Sequence, residues 1–265
     1  DACAGNSNPF VRHAFLRALE VSGSVSADTG WLPQHMLISG EDGKLAACMP
    51  MYLKSHSYGE YIFDWGWAEA YERAGGKYYP KLQSAVPFTP ATGERMLVRK
   101  DVSNSYYNAL IASMLRLTQT HNVSSLHVTF PPKNQWDMLG HSGFLLRNSK
   151  QFHWENRGYQ TFGDFLSELS SRKRKAIKKE RRRVAEQGIT LKAVTGDDLT
   201  ETHWDQFYGY YIDTIGRKWG QPYLTRDFFS MLGESMAELA VLVIAEHNGR
   251  RVAGALNLRG DDTIF

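Results

Sequence analysis

Apolar positions along the first half of the chain switch between helical and strand-like spacing. From Pro9 to Val21 a stripe of Phe10, Phe15, Leu16 and Leu19 predicts a helix, with Asn8 placed as its cap and Pro9 in its first turn. Two strand-like runs follow, His35 to Ser39 and Lys44 to Leu53, joined by a Glu41-Asp42-Gly43 turn. A third strand-like run, Tyr58 to Trp67, is aromatic and punctuated by glycine. Tyr106, Leu110, Ile111, Met114, Leu115 and Leu117 mark a helix over Ser105 to Thr120. Strands are predicted from Ser125 to Phe130 and near Gln151 to Asn156.

A second block opens with a helix from Phe162 to Gln187, closed by Gly188. Phe165, Leu166, Leu169, Ile177 and Val184 would be its buried stripe, leaving most of its cations on the solvent side. Then come a strand, Ile189 to Val194, and two helices, Glu201 to Ile215 and Thr225 to Ala237. Two strands, Ala240 to His247 and Arg251 to Arg259, flank Asn248-Gly249, a strong hairpin signal. Another strand begins at Thr263, so the second block is expected to be incomplete at its C-terminal side. The repeated order of elements predicts an α/β (α+β) protein of two domains, 1–158 and 159–265.

The 265 residues, 42% hydrophobic and 22% charged, have ordinary globular composition and suit two medium domains. No stretch approaches the ~20 apolar residues of a membrane span. Asp1 to Asn8 lacks a charged and then apolar leader, although a chain without an initial Met would hide one that had been trimmed. Cys3 and Cys48 are too few for a disulfide framework and fit a reducing compartment, so a cytoplasmic location is expected. Only the closest pair of histidines, His121 and His127, approaches the spacing zinc sites favour, and no Cys or further His joins it, so no metal site is predicted. The nucleophile-elbow, phosphate-loop and dinucleotide-loop motifs are all absent.

Charge is what sets this sequence apart. Of the twelve residues Arg172 to Arg183, nine are Arg or Lys, opposed only by Glu180. The segment therefore carries +8 in a chain whose formal total is +3, and the remainder nets −5. A solvated helix face is the ordinary reading of such a run. Yet a merely soluble helix would relieve the self-repulsion with more Glu, so a polyanionic partner is expected here. At 100° per residue, Arg174, Lys175, Lys178 and Arg182 form one strip, with Arg172 and Lys179 on the opposite shoulder.

Several stretches resemble a known family. Tyr78 to Leu97 (YYPKLQSAVPFTPATGERML), His127 to Phe130 (HVTF), Gln151 to Arg183 and Trp219 to Phe229 (WGQPYLTRDFF) are similar to the FemAB-like peptidoglycan biosynthesis or recognition proteins. The PFTPATG segment is the most specific part. More distantly, the basic run followed by Gly188 and ITLKAV resembles the second domain of the Fem aminoacyl transferases. The resemblance implies two tandem GNAT-like domains and transfer of an acyl or aminoacyl group to an amine of a peptidoglycan-precursor-type or other anionic substrate. Acyl-CoA or aminoacyl-tRNA would be the donor, and tRNA a possible partner. Thr214, Arg217, Tyr223 and Phe229 match the Thr-x-x-Arg, Tyr and apolar-helix order of that group.

Acyl transfer to an amine needs a proton acceptor and donors for the carbonyl oxygen, and backbone N–H groups between splayed strands can supply the latter. An absent catalytic motif is therefore compatible with the reading. Gly254, in Arg251-Val252-Ala253-Gly254-Ala255-Leu256, is read as strand packing rather than as a cofactor loop. The Pro-stiffened PFTPATGER loop offers Thr89 and Thr92 between Lys81 and Arg95. These four, with Arg217, Lys218 and Tyr223, are the candidate substrate-binding residues. Trp65, Trp67, Tyr71, Tyr78 and Tyr79 are expected to be core or pocket wall. His127, pointing away from Leu126 and Val128, and the pair His153 and Glu155 are candidate acid–base groups, each set against the plainer reading of a structural residue. Arg172, Arg174, Lys175, Lys178, Lys179 and Arg182 are the candidate polyanion-binding residues. A different class remains open, a non-enzymatic module whose basic helix docks nucleic acid or anionic lipid head groups.

Overall fold

A computed structural model describes residues 1–218 and 220–265; Trp219, part of the WGQPYLTRDFF match, lies outside the described residues. The Asn8 side chain does cap the first turn, accepting from the Phe10 N–H at 2.9 Å. That turn is a separate 3-10 segment, Pro9–Val11, ahead of α1 (His13–Val21). Next come β1 (Trp31–Pro33) and β2 (Met36–Ser39), then β3 (Leu45–Met49) and β4 (Tyr52–Lys54). The expected long strand from Lys44 to Leu53 is thus two, in different sheets, because Pro50 has no N–H to continue the first ladder. The expected strand at Tyr58 to Trp67 is irregular and runs into α2 (Trp65–Arg73), since Gly59 and Tyr61 have φ of +80° and +59°.

The first half continues through β5 (Lys81–Ser84), β6 (Leu97–Val98), α3 (Ser105–His121), β7 (Leu126–Val128) and α4 (Lys133–His141). No strand forms at Gln151 to Asn156, which is exposed and irregular. The helix expected over 162–187 is two, α5 (Phe162–Ser167) and α6 (Ser171–Glu186). Thr161 and Asp164 make a reciprocal capping box for α5, while Ser170, in extended ψ, restarts the chain as α6. The remainder is β8 (Ile189–Val194), α7 (Glu201–Arg217), α8 (Arg226–Met236), β9 (Ala240–His247) and β10 (Arg250–Leu258). Asn248 and Gly249 take φ of +51° and +72°, as a tight hairpin between β9 and β10 demands. The strand expected from Thr263 is a single bridge, Arg259 to Ile264.

The architecture is a mixed α and β one with three sheets, ordered β1-β4-β5-β7, β2-β3-β6 and β10-β9-β8. In the first of these β5 and β7 run parallel, and α3 lies in the connection between them. One buried cluster joins residues from both halves of the chain, among them Phe15, Leu19, Trp31 and Tyr52 with Trp204, Phe228, Phe229 and Leu232. Phe15 and Phe228 meet edge to face at 5.7 Å, and the Thr225 N–H at the start of α8 donates to Ser24 Oγ at 3.0 Å. On the last sheet, Leu242, Ile244 and Leu256 pack with Phe207 of α7. Gly254 belongs to that packing, since a Cβ there would lie 3.1 Å from the Phe207 ring.

Candidate active site on the polar face of the first sheet

Strand register decides what faces what. Trp31 pairs with Lys54, Lys54 with Lys81, Tyr52 with Gln83, and Gln83 with His127. Directly paired residues point to the same side, so all six occupy one face of the sheet. Leu53, Leu82 and Leu126 occupy the other and pack into the apolar core with Leu110 and Met114. Burying two lysines, a glutamine and a histidine on one sheet face is costly unless they are paired, and a face built only for stability would be aliphatic.

The segment from Ser57 to Asp64 covers this face and supplies the missing charge. Lys81, with no exposed surface, donates to Glu60 Oε2 at 2.7 Å and also to Asp64 Oδ2. Tyr78 and Tyr79 donate to the two Asp64 oxygens at 2.7 Å each. Asp64 stands at the N-cap of α2 but does not cap it, its carboxylate being engaged here. With its NH2 turned toward Glu60, the Gln83 amide donates at 2.9 and 3.1 Å. The Lys54 ammonium is also fully buried, 3.5 Å from the centroid of the Trp31 ring and donating to the Tyr58 carbonyl at 3.3 Å.

This arrangement spreads the proton affinities. Burial works to raise the Asp64 carboxyl, but its bonds with Lys81, Tyr78 and Tyr79 overcome that and hold it at about 2. Burial prevails at Glu60, which is pushed up to about 7 despite Lys81. Lys54 is brought down by burial to about 7, partly offset by Glu60. Burial and the positive charge of Lys81 lower His127 to about 4, so its half-buried imidazole is neutral at neutral pH. Its Nδ1 lies 4.0 Å from Asp64 Oδ2. Two groups near neutrality, a fixed carboxylate and a neutral imidazole form an acid–base assembly.

The other sequence-predicted residues are dispersed. Arg95 is wholly buried and its guanidinium donates to the carbonyls of Thr129, Gly93, Ala91 and Glu94 at 2.8–3.3 Å, so it pins the PFTPATG loop from within. Thr89 is half-buried and donates to the Pro87 carbonyl at 3.0 Å; Thr92 is exposed. Phe88 of the same loop lies between the halves, 5.6 Å from Trp31 and stacked on Tyr223 at 4.9 Å. Arg217 and Lys218 are exposed, and Arg217 pairs with Asp213 of its own helix at 2.8 Å. His153 and Glu155 do not share a strand face, since no strand forms there; His153 Nε2 meets Gln151 Oε1 at 3.2 Å.

Tyr78 is buried as expected, but Trp65, Trp67 and Tyr71, all on α2, are about half exposed. The basic run forms one helix face after another with no buried residue in α6. Among the described residues, no group of three or more His, Cys, Asp or Glu could hold a metal ion. Lys54, Glu60, Asp64 and Gln83 were not singled out from the sequence. The signal was the alternation Tyr52-Leu53-Lys54, Lys81-Leu82-Gln83 and Leu126-His127-Val128, in three short strands that only the sheet assembles.

No curated protein matches the sequence. The structure of L-PGS from Bacillus licheniformis is similar, with a TM-score of 0.43 and 11% identity over 98% of this chain and 66% of that one. The chain thus spans 66% of the length of that protein. The model of the FemAB-like family, described as peptidoglycan biosynthesis/recognition, matches residues 1–265 in full. The chain belongs to this FemAB-like family.

Proposed function

We propose that this chain is an N-acyl or aminoacyl transferase acting on an amine of a peptidoglycan-precursor-type or other anionic substrate. The observation that carries the reading is the buried polar face, with Lys54, Lys81, Gln83 and His127 beside the parallel strand pair β5 and β7. In the step proposed, the acceptor nitrogen attacks the acyl carbonyl carbon, the carbon–oxygen or carbon–sulfur bond to the donor breaks, and an amide forms. The proton lost by the nitrogen passes to a base, and the leaving group takes one up. His127 is neutral and reaches solvent, so it is the base in this reading, and Asp64 at 4.0 Å stabilises the imidazolium. Lys81 fixes both carboxylates.

The reading includes two tandem GNAT-like domains, divided near 157–161. Its test is incubation of the chain with muropeptide acceptors and, in separate arms, acyl-CoA and aminoacyl-tRNA donors, followed by mass spectrometry of the acceptor. A mass gain that disappears in His127→Gln supports the proposal. No transfer from either donor class, together with no muropeptide binding by calorimetry, would sink it.

A further inference from the structure

The strongest feature outside the polar face is α6. None of its residues is buried, and among the described residues none of the cations from Arg172 to Arg183 takes part in a salt bridge within 4.0 Å. Its inward side is marked by Arg174 and Ile177, the half-buried positions, and by Arg181, whose guanidinium sits 4.2 Å from the Phe162 ring centroid. At 100° per residue the opposite arc, about 100° wide, carries Arg182, Lys175, Lys179, Arg172 and Arg183. Glu186, at the last turn, is the only acidic residue within it. Held in this way, the cations of this arc repel one another with no salt-bridge partner among the described residues.

Apolar side chains flank the helix. Phe162 contacts Phe165 at 5.7 Å, and Phe165 contacts Trp154 at 5.8 Å, so an aromatic row runs out from Arg181. Phe152 is 96% exposed and Trp154 61%. At the C-terminal foot of α6 an open hollow of about 400 Å³ is lined by Gln187, Ile189, His247 and Val252.

We propose that α6, together with Phe162 and the exposed aromatic side chains Phe152 and Trp154 of the preceding segment, docks this chain on an anionic lipid surface. The cations meet the lipid phosphates and the aromatic rings enter the interfacial zone, where amphipathic rings are favoured. RNA would satisfy the cations equally well. It fits the rest less well, because α6 itself carries no aromatic residue to stack between bases and Trp154 meets Phe165 edge to face. This docking goes beyond the transfer reaction and does not depend on it.

The test is co-sedimentation of the full chain with vesicles of phosphatidylcholine alone and of phosphatidylcholine mixed with phosphatidylglycerol, with and without bulk tRNA as competitor. Binding is expected only to the anionic vesicles and should weaken with salt. Each basic residue near such a surface is worth about 1 kcal/mol, so the triple variant Lys175→Gln, Lys179→Gln, Arg182→Gln should lose about 100-fold in partitioning. Phe152→Ser with Trp154→Ser should lower partitioning at every salt concentration without changing its salt slope. Circular dichroism checks that both variants are folded. Absence of binding to anionic vesicles, full binding by the triple variant, or stripping of the chain from vesicles by tRNA at substoichiometric amounts would overturn the proposal. Vesicle binding without transfer activity would leave the docking standing and count against the transferase alone.

Discussion

Lys81→Met isolates the central ion pairs of the polar face. The substitution keeps most of the side-chain length but leaves Glu60 and Asp64, 3% and 2% exposed as residues, without the cation that holds them. Breaking a buried pair by removing one partner costs about 3–5 kcal/mol, because a charge stays behind in a medium that solvates it poorly. Tyr78 and Tyr79 still donate to Asp64, and Lys54 still attracts Glu60, which points to the lower end, about 3 kcal/mol. Urea unfolding followed by tryptophan fluorescence, repeated from about pH 5 to about pH 8, measures this and supplies a signature that a simple cavity lacks.

The sign of the pH effect follows from linkage. In the native chain Asp64, held at about 2, adds stability that is present above 3.8 and lost as pH falls toward 2. Glu60, raised to about 7, acts oppositely, withdrawing stability as pH rises from 4.5 to about 7. Without Lys81 both carboxyl groups move upward and take up protons on folding. The deficit of Lys81→Met should therefore be greatest at the alkaline end and shrink toward about pH 5. A deficit under about 1 kcal/mol at neutral pH, or one that stays level across the range, would refute the view that Lys81 is a paired buried cation.

Gly233→Ala should destabilise although Ala is the better helix former by about 1 kcal/mol. Its Cβ would lie 2.4 Å from Nε1 of the buried Trp204, and thermal unfolding should show a lower midpoint, not a higher one. Arg95→Met removes the donor from three loop carbonyls and from that of Thr129 and should cost about 3 kcal/mol or more, with faster proteolytic cleavage near Pro90; unchanged cleavage would separate the loop from Arg95. If His127 is the base, transfer should gain its acid limb near pH 4 and be level through neutrality as far as this group is concerned, whereas a limb near the ordinary histidine value would implicate another residue. His127→Gln should abolish transfer yet leave the unfolding midpoint within about 1 kcal/mol of the native value, since the side chain is only half-buried.

By itself the sequence determined the features whose cause is local. The 3.6-residue stripe of α3, the Asn8 cap, the positive-φ hairpin at Asn248-Gly249 and the glycine stop after α6 all follow from neighbours a few positions apart, and the structure has each of them. The charge of the basic run was also legible, because charge is additive along a chain. Continuity was harder to read: Pro50 divides one apparent strand between two sheets, and Ser170 divides one apparent helix, each by a backbone preference that apolar spacing overlooks. Lys81 and His127 were candidates in the sequence, but their assembly into one site with Lys54, Glu60, Asp64 and Gln83 was decided only in three dimensions. Lys54, Lys81, Gln83 and His127 are ordinary polar residues in strands of three or four, too short to show a period. Register across the sheet sets them on one face, and the irregular segment bearing Glu60 and Asp64 closes over it. The proton affinities there come from burial and from charges brought close by folding, and neither quantity exists in an extended chain.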